Sequence, residues 1–173
     1  MSLQRLNDNM FTSRFILTIF LSFYIFTLLG QNTKAVYAPA RVFVIGEEEK
    51  RYETILQQYS LMLFQVCDNS MDEAYDHWNN MLRDMESFAK TQNFDLKGIK
   101  IWMNVFWKSD GRIDYIVYHP KPNSRNMNYQ ELTQFFTAFQ QQYQLPLKAT
   151  KNFSHYGSAS FPIFNKAHLI QEK

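Results

Sequence analysis

Residues 99–118, IKIWMNVFWKSDGRIDYIVY, decide the fold. In the first half Ile99, Ile101, Met103, Val105 and Trp107 fall on one side, and Trp102, Asn104 and Phe106 on the other. In the second half Ile113, Tyr115 and Val117 alternate with Asp114, Ile116 and Tyr118. A period of two, rich in β-branched and aromatic residues, is the pattern of paired strands. Asp110-Gly111 between the halves supplies the positive-φ residue that a tight hairpin turn requires. The other elements are placed relative to this hairpin.

Downstream, PKPNSRNMN (residues 120–128) reads as a polar loop. Asn128 is an N-cap candidate with Glu131 three residues on, and Leu132, Phe135, Phe136, Phe139 and Tyr143 form a helical stripe that Pro146 ends. Tyr156–Phe164 reads as a last strand, where Pro162 disfavours a central position. Upstream, Glu47–Val66 reads as a helix, with Ile55, Leu56, Tyr59, Met62, Leu63 and Val66 at three- and four-residue intervals. Ser70-Met71-Asp72-Glu73 is a capping box opening a second helix to about Thr91. The short link between the two helices predicts an antiparallel helical hairpin.

The expectation is therefore an α+β fold. An N-terminal helical hairpin (47–91) precedes a small antiparallel sheet with one packed helix, β-β-α-β over residues 99–164. The pieces form a single domain over residues 47–166. Before it lies a mobile N-terminal segment, 31–46, in which Val42–Gly46 reads as a short strand or a clip. Residues 167–173 form a tail.

The block Ile99–Phe164 resembles the C-terminal domain of TonB-type energy transducers. The matching pieces are VFWKSDGRIDYIVY, the helix ELTQFFTAFQQQY and the strand GSASFPIF with its late proline. The likeness covers about 65 of the 173 residues. It implies a strand, an Asp-Gly turn, a second strand, a helix and a third strand. The family's long Pro-rich spacer is replaced here by about a dozen irregular residues, which at ~3.5 Å each reach about 40 Å. Gln144-Leu145-Pro146-Leu147 stands where the family often has a Trp-Pro-type sequence. The resemblance implies the fold and not the transducer's task of powering outer-membrane receptors. KPNSRN and FSHYGSASFP also resemble exported proteins of Bacteroidota-like bacteria, a likeness that brings no activity with it.

Arg5 and Arg14 precede an uncharged apolar run, Phe15–Gly30. A positive n-region and an apolar core describe a secretory signal over residues 1–30. The run falls just short of the roughly 20 residues a membrane-spanning helix needs. Export to the periplasm or medium is expected, the alternative being an inner-membrane anchor formed by residues 15–30. Cleavage is expected near Gly30 or Gln31, or after Ala35 or Ala38. The net charge of +2 has no basic stripe, which argues against nucleic acid as partner. Cys67 is the single cysteine, so no intrachain disulfide forms; it reads as a buried thiol behaving as a small hydrophobe.

Two candidate surfaces stand out. Lys121, Asn123, Ser124, Arg125 and Asn126 crowd the loop before a helix N-terminus, where cations and backbone N–H groups suit an anion or a partner's carboxylate; such residues also simply make turns. His155, Tyr156, Gly157 and Ser158 lie in a strand whose small residues permit close backbone approach, by an added strand or by the packed helix. Trp102, Phe106 and Tyr118 form an aromatic surplus opposite the main apolar sets. Burial under the helical hairpin is expected, the alternative being an exposed patch for a partner or a glycan. No Gly-x-Ser-x-Gly elbow, no His-x-x-x-His or Cys-x-x-Cys pair and no Gly-rich phosphate loop is present. The expected function is a non-enzymatic binding module of the cell envelope, without metal or cofactor. Its partner is a protein or envelope component, and edge-strand addition along Tyr156–Phe161 is the expected mode. The alternatives are a small hydrolase or transferase using the Arg125/His155 region, or a structural or immunity-like partner of a secreted protein.

Overall fold

In the computed structural model of the chain, residues 39–163 are described, and from Ala40 onward they lie within one compact unit. The expected export segment and the tail 167–173 lie outside the described residues. The elements are β1 (Val42–Val44), α1 (Glu49–Gln58), β2 (Leu61–Met62), α2 (Leu63–Val66), α3 (Met71–Thr91), β3 (Lys100–Trp107), β4 (Ile113–Pro120), α4 (Tyr129–Gln142) and β5 (Phe153–Ser160). Among the described residues no helix is long and apolar enough to cross a membrane.

The hairpin forms where the alternation places it. The Gly111 N–H donates to Lys108 O at 2.9 Å, and the Lys108 N–H to Arg112 O at 2.9 Å. Gly111 sits at φ +86°, and a Cβ there would lie 2.8 Å from Leu147 O and closer still to Leu145 O, so only glycine fits.

The α+β class holds, but the expected small antiparallel sheet is a mixed sheet of five strands in the order β1-β4-β3-β5-β2. β3 is central and antiparallel to both β4 and β5, while β1 and β2 add in parallel at the two outer edges. Val42–Val44, read as a short strand or a clip within a segment expected to be mobile, is a strand built into the sheet against Ile116–Tyr118. Its short apolar run satisfies backbone groups that β4 would otherwise leave open at its edge.

A β-bulge sets the faces. Trp107 pairs with Ile113 but Phe106 with Tyr115, so Asp114 is an extra residue in β4. Beyond it the parity reverses. Ile113, Ile116 and Tyr118 all join Ile101, Met103, Val105 and Trp107 in the main core, whereas Val117 belongs with Phe106 on the second face. Tyr118 is thus buried on the helix-covered face, not on the face of Trp102; its hydroxyl donates to Tyr129 O at 3.1 Å.

The two faces have different covers. α3 packs Trp78, Met81, Leu82 and Met85 into the main core, and α4 packs Leu132, Phe135, Phe136 and Phe139 there. On the second face α1 contributes Ile55, with Tyr59 just beyond its end, to a smaller cluster with Phe43, Phe106 and Val117. The expected single helix over 47–66 is therefore split, and its first part and α3 lie on opposite faces of the sheet. Tyr59 explains the break. It leaves helical geometry at φ −114°, ψ 80°, sets its ring 4.9 Å from Phe106 and donates its hydroxyl to Asp114 Oδ2 at 2.6 Å. Leu61–Met62 can then run alongside Phe153–Ser154. Tertiary anchoring overrides a continuous helical period here.

Candidate functional site

α1 covers only part of the second face. Phe106 and Val117 are fully buried beneath it, while Trp102, two register steps from Asn104 and four from Phe106, is 40% exposed. Across the sheet Trp102 stands opposite His119 in β4 and Ser158 in β5. The ring of Tyr156, itself 52% exposed, stacks parallel to the indole with centroids 5.9 Å apart. From the end of β4, Lys121 lays its ammonium 4.0 Å from the Trp102 ring centroid and donates to Ser158 Oγ. A cation over an indole is favourable by about 0.5–1 kcal/mol at an exposed site. Asn104 forms the floor at the boundary with the covered half. It is 4% exposed, its Nδ2 donates to the Tyr52 hydroxyl at 3.3 Å, and its Oδ1 has no partner among the described residues.

This cluster draws Lys121, Tyr156 and Ser158 from the two sequence candidates and joins them to Trp102. Arg125, Ser124, His155 and Gly157 are engaged elsewhere. Arg125 donates from Nη1 to Asp95 Oδ2 at 2.8 Å and from Nη2 to Asp95 O at 2.5 Å. Asp95 is held below the usual carboxylate range first by the Lys97 N–H and also by this guanidinium. Ser124 Oγ accepts from the Lys100 N–H at 2.9 Å, and the Arg125 N–H donates to Gly98 O at 2.8 Å. Asn123 and Asn126 are exposed. Asn128 caps α4 by accepting from the Gln130 N–H at 2.9 Å. The loop thus ties β3 to α4, and its guanidinium is committed to Asp95.

His155 and Gly157 point to the opposite face from Tyr156 and Ser158. His155 lies against Trp78, ring centroids 4.7 Å apart, and burial lowers its pKa. A Cβ on Gly157 would meet the Trp78 ring at 2.8 Å, so its lack of a side chain seats the indole. The Trp78 Nε1–H donates to Ser158 O at 3.4 Å. Beyond Ser154 no strand pairs with the outer side of β5 among the described residues.

Arg125 and His155 do not converge. Arg125 packs on Gly98, whereas His155 stands opposite Val105. From Lys100 to Val105 alone, five steps of β3 at ~3.3 Å each put about 16 Å of strand between the two positions.

A second convergence arises at the start of α3, where Cys67, Glu73 and His77 present donor atoms within 4.8 Å of one another. Burial, then the Glu73 and Asp68 carboxylates, push the Cys67 thiol up. Their spacing matches no familiar ligand motif, so only the fold brings them together. The Trp102 cluster did carry a sequence signal: Trp102 stood out as an aromatic opposite the main apolar set. Compared with protein-family models, curated proteins and solved structures, the chain finds no match.

Proposed function

We propose that the chain is an exported, non-catalytic binding module of the cell envelope. It holds an extended segment of a partner protein along the outer side of β5. Alternate side chains of that segment land on Trp102 and Tyr156, and main-chain bonds supply affinity. The observation that carries this reading is the exposed Trp102–Tyr156 stack beside a stretch of β5 that has no strand neighbour among the described residues. Aromatic side chains of this kind dominate interface energetics because they bury much area at low entropic cost. The free stretch is short, since β2 takes its beginning and Trp78 engages Ser158 O. The aromatic face therefore contributes most of the affinity and the edge sets the direction. The likeness to TonB-type C-terminal domains over residues 99–164 and the export signal belong to the same proposal.

Capture from envelope extract on the immobilised full chain tests it, with any partner then purified and titrated. Trp102→Ala or Tyr156→Ala is expected to cost about 2 kcal/mol, roughly thirtyfold in Kd. Tyr129→Ala, equally exposed but on α4, is expected to leave Kd unchanged. A partner that binds all four proteins alike would sink the proposal. N-terminal sequencing of the exported product checks cleavage after residues 30–38.

A further inference from the structure

The junction of α2 and α3 is built around three side chains of different chemistry. Cys67 closes α2, its N–H donating to Leu63 O at 3.0 Å, and is 2% exposed. The chain then turns through Asp68 and Asn69, both left-handed at φ 52° and 63°. Ser70 caps α3 by accepting the Glu73 N–H. This turn brings the start of α3 back toward the thiol. Glu73 and His77, four residues apart, share one helix face, with Nε2 and Oε1 3.9 Å apart. Cys67 Sγ, a Glu73 carboxylate oxygen and a His77 ring nitrogen all lie within 4.8 Å of one another. A tetrahedral ion with bonds of about 2.0–2.3 Å spaces its ligands roughly 3.3–3.8 Å apart. A side-chain adjustment of about one ångström therefore closes the set.

We propose that Cys67, Glu73 and His77 bind one divalent transition-metal ion of the zinc class. The fourth position is left to water or to a donor from a partner. Thiolate and imidazole select this class over magnesium or calcium, which favour all-oxygen sites. The local field favours a dication, since residues 67–77 hold Asp68, Asp72, Glu73 and Asp76 and no Lys or Arg. The ion enters from the solvent side, where the Glu73 and His77 side chains are 53% and 20% exposed, and comes to rest over the buried thiol. The thiol proton leaves to solvent as the sulfur–metal bond forms, one proton per ion. The site is separate from the Trp102 surface and does not rest on the function proposed there.

Cobalt(II) titration of the reduced full chain tests the proposal. One equivalent is expected to produce a thiolate-to-cobalt charge-transfer band with the visible bands of a tetrahedral centre, and zinc is expected to displace both. Cys67→Ser should abolish the charge-transfer band. His77→Ala and Glu73→Gln, at partly exposed positions, should keep the circular dichroism of the parent and weaken binding by at least about tenfold. His119→Ala should change nothing. If Cys67→Ser fails to fold, His77→Ala decides. Absence of the thiolate band at one equivalent, or unchanged affinity in His77→Ala, overturns the site.

Discussion

Asp114 has no partner across the β3–β4 ladder, yet it is among the most connected side chains of the second face. Its carboxylate accepts from Arg41 and from the Tyr59 hydroxyl, with Lys108 Nζ 3.9 Å away, and its carbonyl accepts from Gln140 Nε2 at 2.6 Å. Burial, more than the neighbouring Tyr115, pushes the Tyr59 pKa up to about 12, so this phenol stays a donor at neutral pH. Asp114→Ala strands that hydroxyl and is expected to cost about 2 kcal/mol by urea denaturation. The exposed Arg41 pair adds less than about 1 kcal/mol of this. Gly111→Ala forces a Cβ onto the carbonyls of Leu145 and Leu147 at a left-handed φ and is expected to cost at least about 2 kcal/mol. His155 has a pH signature. Burial lowers its pKa in the folded state, so the unfolded chain binds the proton first. Its stabilising contribution is complete above the unfolded value of about 6.5 and is lost as pH falls through the lower folded value. The urea midpoint should drop on acidification below about pH 6.5. That drop should shrink in His155→Phe, which keeps a ring against Trp78.

At the scale of elements, the central hairpin, the cap of α3 by Ser70 and the cap of α4 by Asn128 were legible, because each rests on local chemistry: period, turn residue, side-chain cap. Two features were not. The helix expected over 47–66 breaks because Tyr59 finds Phe106 and Asp114, contacts with residues roughly fifty positions away that no local period encodes. The faces of β4 were misassigned because strict alternation was assumed through Asp114. Amide exchange should rank the strands accordingly. β3, paired along its length on both sides, is expected to exchange slowest, close to the global unfolding free energy. Leu61 and Met62, in a two-residue edge pairing, should exchange among the fastest strand amides.

Across the described molecule, the sheet is sealed on one face by α3 and α4 and half covered on the other by α1. This incomplete cover leaves Trp102 open while Trp78 and Trp107 are buried. Acrylamide should therefore quench one of the three tryptophans readily, and Trp102→Phe should remove that accessible fraction. Quenching of all three alike would contradict this layering. The candidate site was half legible for the same reason. Tyr156, Ser158 and Lys121 stood out by residue type, but their meeting at Trp102 depends on sheet order, which composition does not encode. Arg125 stood out equally and is spent on Asp95.

The extra residue in β4 also bears on which changes in chain length the molecule tolerates. Loops absorb insertions and deletions because their residues owe allegiance to no face. Asp114 is different: it acts as a parity switch between two stretches of one strand. Deleting it restores strict alternation and keeps its neighbours on their faces: Ile113, Ile116 and Tyr118 still point to the main core, and Tyr115 and Val117 to the second face. What that deletion loses is the carboxylate that holds the Tyr59 hydroxyl and Arg41. One residue added between Ile116 and Val117 would instead swap the faces of Val117 and Tyr118 and turn part of the molecule inside out, whereas the same addition in the loop at residues 120–128 would lengthen a connection.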